Sequence, residues 1–569
     1  MKNGWVTRHK TQDTSKLKRG VCLCVMVTLC FLSLTTTADA ATTNQISQFG
    51  ITWTFDKQYE YGQFCNGDYW VVGPVTIISF NPPSIVSEGR IINGSMINPT
   101  VALSTAQGYD DAIYTYTPSL NVAFGVSSGN PLIVPVASSL ISTISTVPIA
   151  KQKLRTAAVL TVLSAAPPAN SFRPPYLGTD KTVKYTADML RINLLPKLAP
   201  VANVPSLTDL ERMFERVWLF HCPGWTVTFL VPTENSPDYG RDMCVRLGAG
   251  ACSLLLNYTD EQKLSLLKKY VQVGIDFYRF VEDGANIYWE PDGGINSGRK
   301  LPIIIAGYML NDAGMLGIGS LGTTEFYFQE DAQTFYVAEE NIGKYFTDPY
   351  SNPERTHIYG ADPETIPGDT VGYTSEHIGM PEWGIKHETT GYWGDARLAF
   401  DRVRYGANYR NVNAYSWPGY VLPIHILGLK AVWNHDALFD FMDRYMAATA
   451  PGGEWEAGGW RALDQFSENM WDTYRANYGH IYLGVDPVTH QRIYSDNQST
   501  ILFGDVSGEG EVSAYDAALT AQAAVGLITL TAEQAQAADV SGEGEVSAYD
   551  AALIAQRAVG LISKFPVEP

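Results

Sequence analysis

The chain is poor in charged residues and poorest in basic ones. Only 17% of its 569 residues are charged, and 40 Lys and Arg stand against 59 Asp and Glu, giving a formal net charge of −19. Because this surplus repels phosphate backbones, we exclude nucleic acid as the partner. A local basic groove could still bind an anionic sugar polymer.

Long apolar runs are also missing, apart from one stretch near the N-terminus. Residues 21–34 are mainly apolar, follow a basic segment and precede the small-residue sequence Ala38-Asp39-Ala40. A membrane span needs about 20 apolar residues. This shorter run therefore predicts a secretory signal over 1–40, cleaved after Ala40. No later segment is apolar enough to span a membrane, so we expect a secreted, extracellular protein.

Cysteine is scarce once the predicted signal is set aside. Of the seven cysteines, four lie beyond residue 40: Cys65, Cys222, Cys244 and Cys252. Four cysteines in a chain of this length do not make a disulfide scaffold, and none of them forms a CxxC metal-binding pair. A Cys244–Cys252 bridge and ordinary buried thiols both remain open.

The pattern of apolar residues predicts a multidomain α+β chain. Near residue 200 this pattern changes from that of short strands to that of amphipathic helices. Residues 41–200 contain short β-rich runs, such as 69–72, 75–78 and 159–163, between Pro, Gly, Asn and Ser clusters. Such punctuation is typical of an antiparallel β-sandwich. A linker is expected over 491–502.

Residues 201–490 carry amphipathic helical patterns instead of short strands. Helices are predicted over 207–218, 239–256, 261–281, 299–310, 420–433 and 437–446. Long aromatic loops separate them, notably 288–299 and 373–415. Paired helices joined by long loops favour an α/α toroid (helical barrel) as the catalytic domain.

The strongest signal is an internal repeat near the C-terminus. Residues 505–516 recur as 539–550, 34 positions later, and through residue 562 the copies differ only at Thr520/Ile554 and Ala523/Arg557. Each copy has oxygen-bearing side chains at loop positions one, three, five, nine and twelve and glycine at position six. This is the spacing of an EF-hand calcium loop. We predict a helix after each loop, over 517–525 and 551–559, and no matching helix before it.

This loop-plus-helix pair resembles the type I dockerin module of cellulosome-like systems over residues 503–563, with a tail at 564–569. The resemblance implies two Ca²⁺ ions as cofactors and a cohesin module of a scaffold protein as partner. It also implies that positions ten and eleven, which are Ala514-Tyr515 and Ala548-Tyr549, face the cohesin. The implied calcium ligands are Asp505, Ser507, Glu509, Glu511 (carbonyl), Ser513 and Asp516 in the first loop, and Asp539, Ser541, Glu543, Glu545 (carbonyl), Ser547 and Asp550 in the second.

Chemistry in residues 41–490 is predicted from loops rich in aromatic and polar residues, because rings cover sugar faces while polar groups bind hydroxyls and carboxylates. Three clusters stand out, at 66–70, 289–300 and 373–415. In β-elimination on a uronate polymer, one group neutralises the sugar carboxylate and another removes the adjacent proton. The candidate catalytic residues are Tyr409, His387, His377, Arg410, Asn408, Asn296, Arg299 and Glu388.

A β-sandwich with a helical toroid also resembles the architecture of secreted uronate lyases of the heparinase- and alginate-lyase-like families. The chain is therefore expected to be a dockerin-bearing enzyme that cleaves a polysaccharide, with a lyase first. An inverting glycoside hydrolase remains open, since Glu290, Asp292, Glu382, Glu388 and Asp395 could supply its carboxylate pair. A non-catalytic carbohydrate-binding or scaffold-attached protein is the third alternative.

Overall fold

The computed structural model describes residues 41–101, 106–222, 226–235, 237–283, 289, 293–321, 328–342, 375–384, 412–453, 461–495 and 502–567. The predicted signal over 1–40 lies outside these ranges. Among the helices within them, none combines the length and the apolar character that a membrane crossing requires.

The N-terminal part is built from ten strands, and two short two-stranded sheets follow later in the chain. The strands are β1 Thr42–Gln48, β2 Ile51–Gln63, β3 Tyr69–Val72, β4 Val75–Asn81, β5 Ile85–Ser87, β6 Arg90–Ile92, β7 Ser95–Ile97, β8 Leu132–Val134, β9 Ser138–Ser145, β10 Leu154–Leu163, β11 Thr334–Tyr336, β12 Pro381–Trp383, β13 Tyr482–Val485 and β14 Arg492–Tyr494.

Strand β2 is long enough to belong to two groups of strands. Its first half pairs with β1 and β4, and its last residues pair with β3. The sheet therefore runs in the order β7-β9-β10-β3-β2-β4-β8, with β1 beside β2. Apolar residues from both halves, including Trp53, Val71 and Leu160, enclose one core.

The prediction of an antiparallel β-sandwich is wrong at one pair of strands. Strands β3 and β10 are parallel, with Leu160 opposite Tyr69 and Leu163 opposite Val72. Parallel neighbours need a long crossover connection, and the chain between β3 and β10 supplies it. The sheet is consequently mixed.

Strand β10 joins the sheet to the helices because both of its faces are buried. Ala158, Leu160 and Val162 belong to the core of the sheet, whereas Ala157 and Val159 belong to the larger core formed with the helices. A strand covered on both faces reads as a continuous apolar run, as this one does. The β-rich and helical parts therefore share a strand.

The helices follow the predicted pattern closely. They are α1 Leu207–Phe214, α2 Val227–Leu230, α3 Gly240–Leu254, α4 Asp260–Glu282, α5 Lys300–Leu310, α6 Ala313–Leu316, α7 Gln329–Gln333, α8 Pro418–Ile426, α9 Lys430–Trp433, α10 Asp436–Ala448, α11 Gln465–Tyr474, α12 Ala514–Ala524, α13 Ala532–Ala538 and α14 Ala548–Ala558. Short 3₁₀ turns cover Pro118–Leu120, Ala187–Met189, Ile192–Leu194, Gly317–Ser320, Glu339–Asn341, Ser375–His377 and Arg475–Asn477.

A helix is present at each of the six places predicted between residues 207 and 446, but the first ends at Phe214 instead of residue 218 and one is interrupted. The predicted helix over 420–433 is two helices, α8 and α9, because the chain turns at Gly428 with a φ of 65°. Glycine reaches this left-handed region without a steric penalty. The arrangement of the helices as a toroid stays a prediction.

A buried ion triad connects the sheet to helix α4. The Arg173 Nε donates to Asp68 Oδ2 at 2.6 Å, and its Nη1 donates to Asp276 Oδ1 at 3.0 Å. The side chains of these three residues are at most 5% exposed. Gln48 and Asn66 also donate to Asp68. The polar residues of the 66–70 cluster therefore lie inside the protein and hold strands to a helix.

We expect Arg173→Met to lower the free energy of unfolding by about 3–5 kcal/mol, because it leaves two buried carboxylates without their cation. We call residues 41–490 the body of the protein. Urea unfolding followed by tryptophan fluorescence measures this change in the body alone, since residues 503–563 contain no tryptophan.

The matched control is Lys184→Met. Lys184 pairs with Glu282 at 3.4 Å, but the two side chains are 45% and 28% exposed. Such a pair contributes about 0–1 kcal/mol. Equal losses in the two variants would show that the Arg173 triad does not stabilise the fold.

Candidate calcium loops and a buried amide cluster

The first repeat forms a closed loop around its two aspartates. The Asp505 carboxylate accepts hydrogen bonds from the backbone N–H groups of Glu509 and Gly510, at 2.9 and 2.7 Å. The Asp516 carboxylate accepts from the backbone N–H groups of Ser507 and Ser513, at 2.7 and 2.8 Å. Positions one and twelve thereby fold the loop back on itself.

The second repeat reproduces this geometry. Asp539 accepts from the backbone N–H of Glu543 at 3.1 Å and of Gly544 at 2.8 Å, and Asp550 accepts from that of Ser541 at 2.8 Å. The sixth residue of each loop, Gly510 or Gly544, has a φ of 85° or 87°. A side chain at this position would be strained, which explains the glycine.

The last four residues of each loop also begin the following helix. Ser513 and Ser547 are N-caps, and each forms a capping box with the aspartate three residues later. Helices α12 and α14 therefore begin at Ala514 and Ala548, three residues before the predicted starts. The prediction of no helix before either loop is wrong for the second one, since α13 ends next to Asp539.

The donor atoms fit Ca²⁺. Burial raises the pKa of Asp505, and the neighbouring Asp516 carboxylate raises it further against the backbone hydrogen bonds that lower it. Two carboxylates held this close favour a cation between them. Among the described residues, no three His, Cys, Asp or Glu side chains meet as a metal-binding group. Besides its two aspartates, each loop would use serine hydroxyls, a backbone carbonyl and an exposed glutamate, all of them oxygen donors.

The two repeats pack into one small core of their own. Val506 and Val540, which occupy equivalent positions in the two loops, are buried together with Ile554 and Phe565. Helices α12 and α14 lie against each other. The two repeats therefore form one compact module of paired loops and helices.

The comparisons with known proteins agree. Residues 503–557 match the dockerin type I domain family. Domains of this family bind calcium and cohesin modules, and they mark components of extracellular, cellulosome-type assemblies. No curated protein and no solved structure shows significant similarity to the chain.

In the body, two of the loops that the sequence singled out meet at a buried amide cluster, which comprises Gln329, Gln333, Asn413, Trp383 and the Gly293 carbonyl. The carbonyl oxygen of Gly293 accepts from the amides of Gln329, Gln333 and Asn413, at 2.9, 3.0 and 2.8 Å. Trp383 donates its indole N–H to Gln333 Oε1 at 3.3 Å. The cluster joins the 289–300 loop to both ends of the segment 385–411.

Three of the eight candidate catalytic residues lie in the described part of the chain. Asn296 and Arg299 are 2% and 1% exposed, and His377 is half-buried in the 3₁₀ turn before β12. The backbone N–H of Asn296 donates to Gln329 Oε1 at 2.9 Å. Five candidates lie outside the described residues: His387, Glu388, Asn408, Tyr409 and Arg410.

Arg299 shapes its own loop. Its guanidinium donates to the backbone carbonyls of Ile295 and Ser297 and lies over the Phe220 ring, 4.5 Å from the centroid. Burial lowers its pKa to about 10. The side chain therefore stays protonated at neutral pH and ties the loop to the start of α5.

The sequence analysis missed helix α7, which supplies Gln329, Glu330, Asp331 and Gln333. Glu330 accepts from the Tyr420 hydroxyl, and Asp331 pairs with Lys300 and accepts from the Trp433 indole at 2.7 Å. Burial raises the pKa of Glu330, and Asp331 raises it further. Four polar side chains in five residues, between aromatic segments, were the available signal.

We expect the unmodified chain to bind two Ca²⁺ ions, and Asp505→Ala or Asp539→Ala to bind one. These positions are the better choice because Asp516 and Asp550 also cap helices, so changing them would mix two effects. Isothermal titration after chelation counts the ions.

The matched pair serves as its own control, since each variant keeps the other loop intact. The double variant should bind no calcium in the dockerin module. A stoichiometry that does not change in either single variant would contradict the assignment of the loops.

Proposed function

We propose that this chain is a calcium-dependent, cohesin-anchored component of an extracellular assembly whose body cleaves a uronic-acid polysaccharide by β-elimination. The observation that carries the first half is the dockerin type I domain at residues 503–557. A docking module attaches another domain to the assembly, so we assign the activity to residues 41–490. Fold alone does not name a reaction, so the chemistry is argued from the site.

The amide cluster supports a site in the segment 385–411. The backbone N–H of Gly384 donates to the Gln333 carbonyl at 2.8 Å, and Asn413 accepts from Gln329 at 3.0 Å. The described residues that flank the segment with five candidates, Gly384 and Asn413, thus contact one buried network beside Asn296.

In the proposed elimination, Tyr409 or His387 removes the proton on the carbon next to the sugar carboxylate. The electron pair forms a carbon–carbon double bond, the glycosidic C–O bond breaks, and the leaving oxygen takes up a proton. Asn408 or Arg410 would neutralise the carboxylate so that the proton becomes acidic enough to leave. Asn296 and Arg299 would hold the neighbouring loop.

Hydrolysis by a carboxylate pair is the alternative, and one of its candidates is already engaged. Glu382 is fully buried, pairs with Arg444 at 3.3 Å and accepts from the Trp383 backbone N–H at 2.8 Å. A general acid or base has to reach the glycosidic bond or a water molecule. The environment of Glu382 therefore favours a structural role for this residue.

The test follows ultraviolet absorbance of the unsaturated product and new reducing ends together, on alginate, pectate, glucuronan, glycosaminoglycans and neutral glucans. We expect both signals on a uronate polymer. Tyr409→Phe or His387→Ala, whichever removes the base, should lower the rate about 10²–10⁴-fold, the usual contribution of a general base.

Tyr114→Phe and His480→Ala are the matched controls, because both residues are exposed and lie outside the proposed site. New reducing ends without a rise in absorbance would contradict elimination and indicate hydrolysis. Retention on one polymer without cleavage of any would leave a carbohydrate-binding component.

A further inference from the structure

The near-identical repeats present the same surface twice. Tyr515, Val525 and Leu527 form the first face, and Tyr549, Val559 and Leu561 form the second face. Their exposed fractions are 37%, 68% and 74% in the first face and 54%, 70% and 75% in the second. Exposed apolar side chains in such number mark a surface for a protein partner. The repeat alone would make the two faces equivalent.

The body of the protein breaks this equivalence at the tyrosines, while the valines and leucines keep nearly equal exposure. The Asn193 side-chain amide donates to the Tyr515 hydroxyl oxygen at 2.7 Å. Asn193 belongs to the 3₁₀ turn Ile192–Leu194, which precedes the helices of the body. Tyr549, at the equivalent position, is the more exposed of the two tyrosines.

We propose that the body, through Asn193, occupies the Tyr515 end of the first face and that the cohesin module docks on the second face. The proposal rests on the cohesin binding assigned above and adds which copy is used. A standard interface buries roughly 800 Å² on each partner, far more than one tyrosine side chain. A cohesin centred on Tyr515 would therefore overlap the body around Asn193, whereas one centred on Tyr549 would not meet this obstacle.

The two copies also differ in chemistry near these faces. Thr520 and Ile554 are both fully buried, so that difference does not reach the surface. The other difference is half-buried Arg557, which replaces Ala523 and lies in the same helix as Tyr549. Helix α14 thus carries a cation that α12 lacks, and a cation favours an acidic partner surface.

The test measures binding to a panel of isolated type I cohesin modules in the presence of calcium. Tyr549→Ala should weaken binding at least about tenfold, as expected for a tyrosine at the centre of an interface. Tyr515→Ala, the matched control in the same sequence context, should leave the affinity within about twofold, because peripheral contacts contribute little.

Asn193→Ala in the Tyr549→Ala background tests whether the contact with Asn193 causes the preference for the second face. Removing the contact should restore part of the lost affinity by opening the first face. Equal losses in the two tyrosine variants, or a loss only in their double variant, would overturn the proposal, since both results describe interchangeable faces.

Hydroxyl-radical footprinting tests the contact of Tyr515 with the body without any cohesin. Cleavage after glutamate gives separate tyrosine peptides, which differ in mass at 520/554 and 523/557. Tyr515 should be oxidised more slowly than Tyr549, and Asn193→Ala should reduce the difference. Equal rates in the unmodified chain would overturn the proposal. If no cohesin binds while the oxidation rates differ, the assignment of cohesin as partner fails, but the contact of Tyr515 with the body is confirmed.

Discussion

The body depends on one guanidinium group that holds two buried carboxylates from distant parts of the chain. Arg173 reaches Asp68 beside the sheet and Asp276 in the middle of α4, and none of the three contacts solvent appreciably. Because a buried charge is tolerated only with its partners in place, the triad fixes the relative position of sheet and helix. Strand β10 adds the apolar half of the same connection, since it contributes to both cores.

The sequence predicted what local patterns determine. Helices α3 and α4 were found because their apolar spacing is encoded in adjacent residues. The parallel pairing of β3 with β10 was not found, because it joins residues about ninety positions apart. The amide cluster escaped for the same reason: Gln329 is an ordinary polar residue until the fold places it beside Gly293 and Asn413.

The calcium loops were the most predictable part of the site, since the repeat fixes every donor by position. What the pattern did not reveal is that Ser513 and Ser547 act twice. Each is the calcium ligand predicted at position nine and also the N-cap of the next helix, so the helices begin earlier than their apolar pattern indicates. A residue chosen for metal binding can therefore also set the start of a helix.

Duplication of a sequence does not by itself duplicate an environment. The tyrosine of the first copy accepts a hydrogen bond from Asn193, whereas the second copy follows the first along the chain and its tyrosine is more exposed. The two faces then differ at their tyrosines, and a large partner centred on the first tyrosine would overlap the body. Attachment to the body can in this way give a symmetric docking module a single orientation, which in turn fixes how the body faces the polymer on which we propose it acts.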